Sequence, residues 1–549
     1  MRAAPAESRS AGEKSDARTA HVVLVLVVAV ALFVALAAVM MPFVPDGAYI
    51  SFRYAEQLAQ AQGFTFNSGA DPVEGYGSFL WVVLSAVIHN LGLDIPHTAP
   101  YASLVFGVLN IVILWAIYRR RHPSPYGLLL PLVLFASSAP LLTFAVSGME
   151  TTLYSFLLLL TIYFLDRALS SGALGAYLMT AVVCVILSLC RLEGILVFPV
   201  AVLYVMWSQL GVGGVAAKSR HQRGVFIAAV VFIVGVAVYH SWRLAYFGSW
   251  LPTTFWAAAG DSLFESWTGN VRSYFVSHGH DYPPMGYYYL AVALLAVIGA
   301  GSSGAAAHVR VNRVCLMLGA AFGVLYVGFA DPLPGLRYHT AFLGLLFVPL
   351  IHLPDAAAKA AYTDLKRVGH RWYWPVVACL LIVSGSWLAS TKLSLQRIED
   401  GTREARVKFG RWLNEAVADS TVLAIGEVGS VPYHAKLPVF DMAGPPLVND
   451  PATTHGFSEN AFFESMPGVV VFVSKGLLTR NVDPAHERLM TSTRFGDRYE
   501  FLATVRLDWY QDRSYWVYVP RIRPHFSPEL RGKFPSGLGS VVVKPQWFR

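Results

Sequence analysis

The sequence predicts a polytopic α-helical membrane protein of about eleven transmembrane helices, followed by a C-terminal extracytoplasmic α/β domain. Three observations carry this. Of 549 residues, 55% are hydrophobic. Only 14% are charged, where a soluble domain carries about 25%. Apolar runs long enough to cross a hydrocarbon core of about 30 Å recur up to residue 392 and then stop. Together these exclude a soluble enzyme, a disordered tail protein and a nucleic-acid binder. The net charge of +8 would suggest a polyanionic partner on a soluble surface, but in a membrane protein it reflects Lys and Arg in cytoplasmic loops.

Residues 1–20 read as a cytoplasmic tail, basic through Arg2, Arg9, Lys14 and Arg18. The apolar run from about His21 to Val44 is too long for a signal-peptide core and lacks a small-residue cleavage site, so it is an anchor. It opens a transmembrane region over 21–392. Residues 45–98 form the first outer loop. Within it, Ile50–Gln62 is amphipathic: Ile50, Tyr54, Leu58 and Ala61 share one helical face, and Arg53, Glu56, Gln57 and Gln60 the other. Phe79–Leu93 is apolar but short, and crossing it would place Arg119 to Arg121 outside. Both segments therefore read as interfacial helices. Further spans fall near 99–118, 126–145, 151–168, 174–190, 194–208, 224–246, 285–306, 313–329, 339–354 and 373–392.

Orientation follows from the basic residues. With the N-terminus in the cytoplasm, Arg119 to Arg121, Arg167, Lys218, Arg220, Arg223, Arg310, Arg313, Lys359, Lys366, Arg367 and Arg371 join the tail inside. The outer loops before residue 393 hold only Arg53, Arg191, Arg243, Arg272 and Arg337. An odd number of spans then puts residues 393–549 outside as a soluble domain. Thr421–Ile425, Gly468–Val473 and Tyr515–Val519 read as its strands, with turns marked by Gly426, Gly429 and Pro432. Cys184, Cys190, Cys315 and Cys379 lie in apolar stretches with neither zinc spacing nor a disulfide framework.

Charge at bilayer depth is costly, so acids and bases near helix ends carry information. They gather on the outer side: Asp46, Tyr49, Arg53 and Tyr54, then Glu74 and Tyr76, Glu150, Arg191 with Glu193, and Arg337 with Tyr338 and His339. Such a set suits transfer chemistry. A carboxylate takes a proton from an attacking hydroxyl, an arginine holds a leaving phosphate, and aromatic rings stack on sugar faces. Plainer readings stand beside each. Asp46 and Glu150 fit helix caps, Arg53 fits a solvated face, Arg191 and Glu193 fit an ion pair at a helix end, and Arg337 fits an interface anchor. His278, His280 and Asp281 resemble a metal cluster but lack a further ligand nearby, which favours a solvated loop. Glu427, between Gly426 and Gly429, lacks phosphate-loop spacing and reads as a strand-to-turn residue.

The stretch Asp46-Gly47-Ala48-Tyr49-Ile50-Ser51-Phe52-Arg53-Tyr54-Ala55, with Pro72-Val73-Glu74-Gly75-Tyr76 and Phe79-Leu80-Trp81, resembles bacterial C-type (GT-C fold) glycosyltransferases of the arabinofuranosyltransferase B-like family. Ser147–Thr151, Arg191–Gly194, Leu251–Phe255, Pro334–Tyr338 and Val439–Asp441 followed by Gly444 resemble its later motifs, in order. The resemblance implies a polyprenyl-phosphate donor, arabinofuranose as the sugar, and transfer to a hydroxyl of an extracytoplasmic glycan or a glycoprotein such as a pilin. It implies a bacterial cytoplasmic (inner) membrane location with the C-terminal domain periplasmic. Carried over from the family, the role of Asp46 is to act as base or to orient the acceptor. Where the family usually shows two adjacent acids, this chain has Gly47 at the second place. Arg191 and Arg337 become candidates for the phosphate, and the remaining residues of the set for donor and acceptor. Neither a nucleotide nor a cofactor is required, and a divalent metal is optional because the leaving group is a monophosphate. The competing class is a transporter or flippase of lipid-linked sugars. That class would hold its charges near the midplane on broken helices. A non-catalytic envelope scaffold is the third.

Overall fold

The computed structural model describes residues 6–41, 43–121, 125–208, 215–250, 252, 285–301, 306–327, 337–352, 385, 387–397, 399–400, 402–442, 458–474, 483–508, 513–522 and 542–543. The chain gathers into two compact units. The first comprises Met1–Phe43, Pro100–Ser241 and Ser262–Ser394, and the second Val44–Ala99, Trp242–Asp261 and Leu395–Arg549.

Helices dominate the first unit. Among the described residues five helices are long and apolar enough to span a bilayer: Ala20–Met40, Ile95–Arg121, Thr151–Ser171, Ser219–Phe247 and His308–Tyr326. The stretch expected as one span over 126–145 is two helices, α5 (Pro125–Ala136) and α6 (Ala139–Ala145), bent by 55° at their junction. Ser138 is extended there and Pro140 sits in the first turn of α6, so the backbone cannot run through. The spans expected over 174–190 and 194–208 are α8 (Leu174–Cys190), a 3-10 turn (Leu192–Leu196) and α9 (Val197–Ser208). Gly194 allows that turn, because a Cβ there would meet the Leu187 carbonyl oxygen at 2.8 Å. The runs expected over 285–306, 313–329 and 339–354 appear as Met285–Gly301, Ala306–Val327 and Arg337–Phe347 with a 3-10 end to His352. The 373–392 span, Cys379, the His278–Asp281 group, most of Leu251–Phe255, Pro334–Leu336 and Gly444 lie wholly or largely outside the described residues.

Not every arginine expected in a cytoplasmic loop is solvated. Arg121 is buried, donating to Asp166 at 3.0 Å and to Asn312 at 2.7 Å, while Arg120 reaches the other Asp166 oxygen at 3.3 Å.

The second unit combines the residues expected as the first outer loop with the C-terminal domain. A six-stranded sheet has the order β2-β1-β3-β5-β4-β6. Its strands are β1 (Leu423–Ile425), β2 (Val439–Asp441), β3 (Val469–Ser474), β4 (Tyr499–Asp508), β5 (Arg513–Pro520) and β6 (Val542–Val543). β1 pairs in parallel with β2 and β3, and the other pairings are antiparallel. Helix Ser430–Ala435 connects β1 to β2, so Pro432, expected in a turn, sits in a helix whose N-cap is Gly429. Phe462, Phe472, Leu489, Phe495 and Trp516 form the core over one sheet face.

The outer loop holds α2 (Ala48–Ala59) and α3 (Phe79–Asn90), as two short helices. The expected division of α2 into faces fails at two positions. Arg53 is buried, and Ala61 is exposed, beyond the helix end and at φ 60°. The reason is a neighbour that α2 periodicity does not reveal. Arg53 donates to the carbonyl oxygens of Phe66 (2.8 Å), Pro432 (2.6 Å) and Leu437 (2.7 Å), tying α2 to the C-terminal domain.

Candidate functional site

The predicted residues fall into two clusters, one in each unit. In the second unit Asp46 lies just before α2, whose N-cap is Gly47 with no side-chain capping bond. The Asp46 carboxylate therefore does not cap its own helix. Oδ1 accepts from the Ser430 backbone N–H at 2.8 Å and the Ser430 hydroxyl at 2.5 Å. Arg406 Nε stands 4.0 Å from the same oxygen. Among the described residues no hydrogen bond reaches Oδ2, and the side chain keeps 28% exposure. Gly429 makes the approach possible, since a Cβ at that position would meet Asp46 Oδ2 at 2.2 Å.

Behind Asp46 stands a second layer. Arg406 Nε donates to Glu427 Oε2 at 3.0 Å, and the Tyr515 hydroxyl donates to the same oxygen at 2.7 Å. Glu427 follows the carboxyl end of β1, and Tyr515 lies opposite Val473 near the carboxyl end of β3. The chain leaves β1 toward β2 and β3 toward the antiparallel strands, so these ends flank a topological switch point, where open α/β sheets bind ligands. Burial pushes the Asp46 carboxyl above the ordinary carboxylate range; Arg406 and the Ser430 bonds pull it down, and Glu427 pushes it up. The same burial is outweighed for Arg406, whose guanidinium is held protonated by Tyr515, Glu427 and Asp46.

Other first-loop residues serve the interior. Tyr49 packs against Phe52, Tyr433 and His434. Tyr54 is fully buried between Phe66 and Tyr76, and its hydroxyl accepts from the Gly75 backbone N–H at 3.1 Å. Tyr76 keeps 2% exposure. The expectation that these rings stack on a sugar gives way to a packing role, because their faces are covered by protein. Glu74 pairs with Arg243, which also donates to the Trp250 carbonyl oxygen. Burial raises the Glu74 carboxyl while Arg243 opposes it. Arg53 holds carbonyls, as described, and burial lowers its guanidinium to about 10.

In the first unit Arg191 ends α8 and is buried. It donates to Glu150 Oε1 at 3.2 Å and to Glu193 Oε1 at 2.5 Å. Glu150 occupies the N-cap position of α7 (Thr151–Ser171) without a capping bond, so its carboxylate serves Arg191 instead. The Tyr326 hydroxyl donates to Glu193 Oε1. Tyr338 lies under Arg191 at 4.6 Å and stacks on Tyr326 at 4.9 Å. Arg337 donates to the Tyr338 hydroxyl at 3.1 Å and lies 4.8 Å over its ring. His339 Nε2 meets the Gly323 carbonyl oxygen at 3.1 Å, which turns it toward helix packing. The Arg191–Glu193 ion pair is present, with Glu150 as a third member. Two carboxylates thus balance Arg191, and Arg337 adds a second cation beside Tyr338.

Sequence reasoning missed Ser430, Arg406, Glu427, Tyr515, Arg243 and Tyr326. Glu427 was legible only as a turn residue. Its signal is a Gly-flanked loop between a buried strand and a helix, a place where sheets present functional groups. Among the described residues no three His, Cys, Asp or Glu side chains converge as metal ligands.

The model of a domain of unknown function (DUF8728) matches residues 395–519. A search of curated proteins finds no sequence match. Solved structures are similar over most of the chain. ArnT from Cupriavidus metallidurans bound to undecaprenyl phosphate has a TM-score of 0.53 at 13% identity, covering 91% of this chain and 98% of that one. Archaeal oligosaccharyltransferase AglB from Archaeoglobus fulgidus, in complex with an inhibitory peptide and a dolichol-phosphate, has a TM-score of 0.51 at 10% identity, covering 90% and 74%. The Archaeoglobus fulgidus oligosaccharyltransferase in its apo form has 0.50 at 10% identity, covering 82% and 69%. At these identities the likeness shows the fold: a multi-pass helical membrane protein of GT-C architecture with a C-terminal sheet domain.

Proposed function

We propose that the chain is a membrane glycosyltransferase that moves a sugar from a polyprenyl-phosphate donor to a hydroxyl of an extracytoplasmic glycan or glycoprotein. The observation that carries this is Asp46: a partly exposed carboxylate, fixed through Oδ1 by Ser430, that presents Oδ2 at a GT-C first loop. Oδ2 takes the proton of the acceptor hydroxyl as that oxygen attacks C1 of the donor sugar. The C1–O bond to phosphate breaks, and the polyprenyl phosphate leaves with the bonding pair. Its charge calls for a cation, for which the sequence offers Arg191 and Arg337. A monophosphate leaving group needs no cofactor.

Two of the similar structures hold undecaprenyl phosphate and dolichol-phosphate, which supports a lipid-phosphate carrier here. Arabinofuranose as the sugar rests on the first-loop motif from Asp46 to Ala55. The excess of Arg and Lys in alternate loops supports a cytoplasmic N-terminus and an extracytoplasmic C-terminal domain in the bacterial inner membrane. A panel of synthetic polyprenyl-phosphate pentoses and hexoses, offered with arabinan, lipid-linked glycan and pilin acceptors, tests the reading by mass spectrometry. Product with the arabinofuranosyl donor is the expected result. Product with a hexose donor alone would overturn the sugar, and product with none would overturn the activity.

A further inference from the structure

The first loop carries one acid where two would be expected, and the structure places another carboxylate beside it. Gly47 is exposed, and a Cβ built there meets nothing within 4 Å, so it touches no member of the Asp46 cluster. Glu427 instead reaches the cluster from the C-terminal domain. One guanidinium connects the two acids: Arg406 Nε is 3.0 Å from Glu427 Oε2 and 4.0 Å from Asp46 Oδ1. Tyr515 fixes Glu427 from β5, and Ser430 fixes Asp46 from the next helix. Arg406, Glu427, Ser430 and Tyr515 all fall within the span that matches the domain of unknown function.

We propose that Glu427 serves the site as its second carboxylate, a positioning residue that holds Arg406 against Asp46, so that the C-terminal domain completes the base. This rests on the reading of Asp46 as that base. Without Glu427, Arg406 loses the partner that aims it. Without Arg406, two carboxylates face each other across a partly dry gap. Two acids sharing one cation leave Arg406 on Oδ1 alone, clear of a bidentate pair that would block Oδ2. The charged and titratable groups that face Asp46 are Arg406 from the π-helical segment Thr402–Val407, Glu427 beyond β1, Tyr515 on β5 and Tyr49 on α2. Removing Glu427 removes a negative neighbour, and removing Arg406 removes a positive one.

The test titrates the Asp46 carboxyl in the full-length protein in lipid nanodiscs by isotope-edited infrared spectroscopy, with Asp46→Asn identifying the band. The expected result is a titration at higher pH both in Glu427→Gln, where Arg406 is no longer held against Asp46, and in Arg406→Gln, with Arg406→Lys between the latter and the parent protein; a lower titration in Glu427→Gln would mark a negative neighbour that aims nothing and overturn the proposal. Turnover of polyprenyl-phosphate sugar falls roughly 10–100-fold in Glu427→Gln, the scale of a misplaced reacting group. Unmoved titrations in Glu427→Gln and Arg406→Gln would overturn the proposal. Where Glu427→Gln fails to fold, Arg406→Lys carries the test through the same cation, and an unmoved titration there overturns it. Turnover retained by Asp46→Asn would overturn the base reading itself, and the two failures are separable because the titration is read without substrate.

Discussion

Asp46 shows what a residue's neighbours add to its type. An aspartate before a helix reads equally as a cap and as a base. The structure separates the two, because the carboxylate bonds to Ser430 and Arg406 instead of to the α2 N-terminus. Gly429 is the residue on which this arrangement turns. Gly429→Ala is expected to displace Asp46, since its methyl would occupy the place of Oδ2. Turnover should fall about 100-fold, and the thermal midpoint should fall with it because the methyl also meets the Asp46 backbone carbonyl oxygen. A large midpoint loss with retained specific activity would contradict the account. Asp46, Glu74, Arg191 and Arg337 were legible as site candidates because charges are scarce in such a chain. Glu427 and Arg406 were not, because they lie in a domain of ordinary polarity where one acid or one arginine carries no contrast.

At the scale of elements, α2 is held by Arg53 and by the aromatic contact of Tyr49 with the Ser430–Ala435 helix. Arg53→Met would leave the carbonyl oxygens of Phe66 and Leu437 without their donor, while Pro432 keeps the Lys436 N–H, and cost about 2 kcal/mol or more, read as a lower midpoint of chemical unfolding. An unchanged midpoint would show the tie to be idle. On the same helix His434 is pushed down to about 4, first by burial and then by Arg411 and Lys436. It is neutral in the fold and takes a proton on unfolding below its usual 6.5. The stability this represents is complete above pH 6.5 and drains away as pH falls toward 4. His434→Gln should flatten the loss of thermal midpoint over that window, and parallel curves would refute this. The five long spans and β1, β3 and β5 were legible from continuous apolar runs. β2 has three residues, too few for any pattern. β4 gains its place by pairing on both sides with β5 and β6, which is tertiary information. The break between α5 and α6 was written in Ser138 and Pro140, but apolar residues on both sides masked it.

At the scale of the whole molecule, the scarcity of charge that marked a membrane protein also yielded the architecture. A run of apolar helices, a first loop with two short helices and a late α/β domain together describe a GT-C fold, and similar solved structures agree over most of the chain. What composition did not reveal is that the first outer loop and the C-terminal residues make one compact unit. A loop that reads as part of the membrane region is built into the C-terminal domain through Arg53, Asp46 and Glu56, the last accepting from Tyr433 and Lys436. The central claim is transfer from a polyprenyl-phosphate sugar with Asp46 as the base. Its most direct test is the release of polyprenyl phosphate by purified protein and by Asp46→Asn, measured side by side with donor and acceptor present. The account predicts acceptor-dependent release by the parent protein and a loss of about 100-fold or more in the variant. Equal release by the two proteins would contradict it.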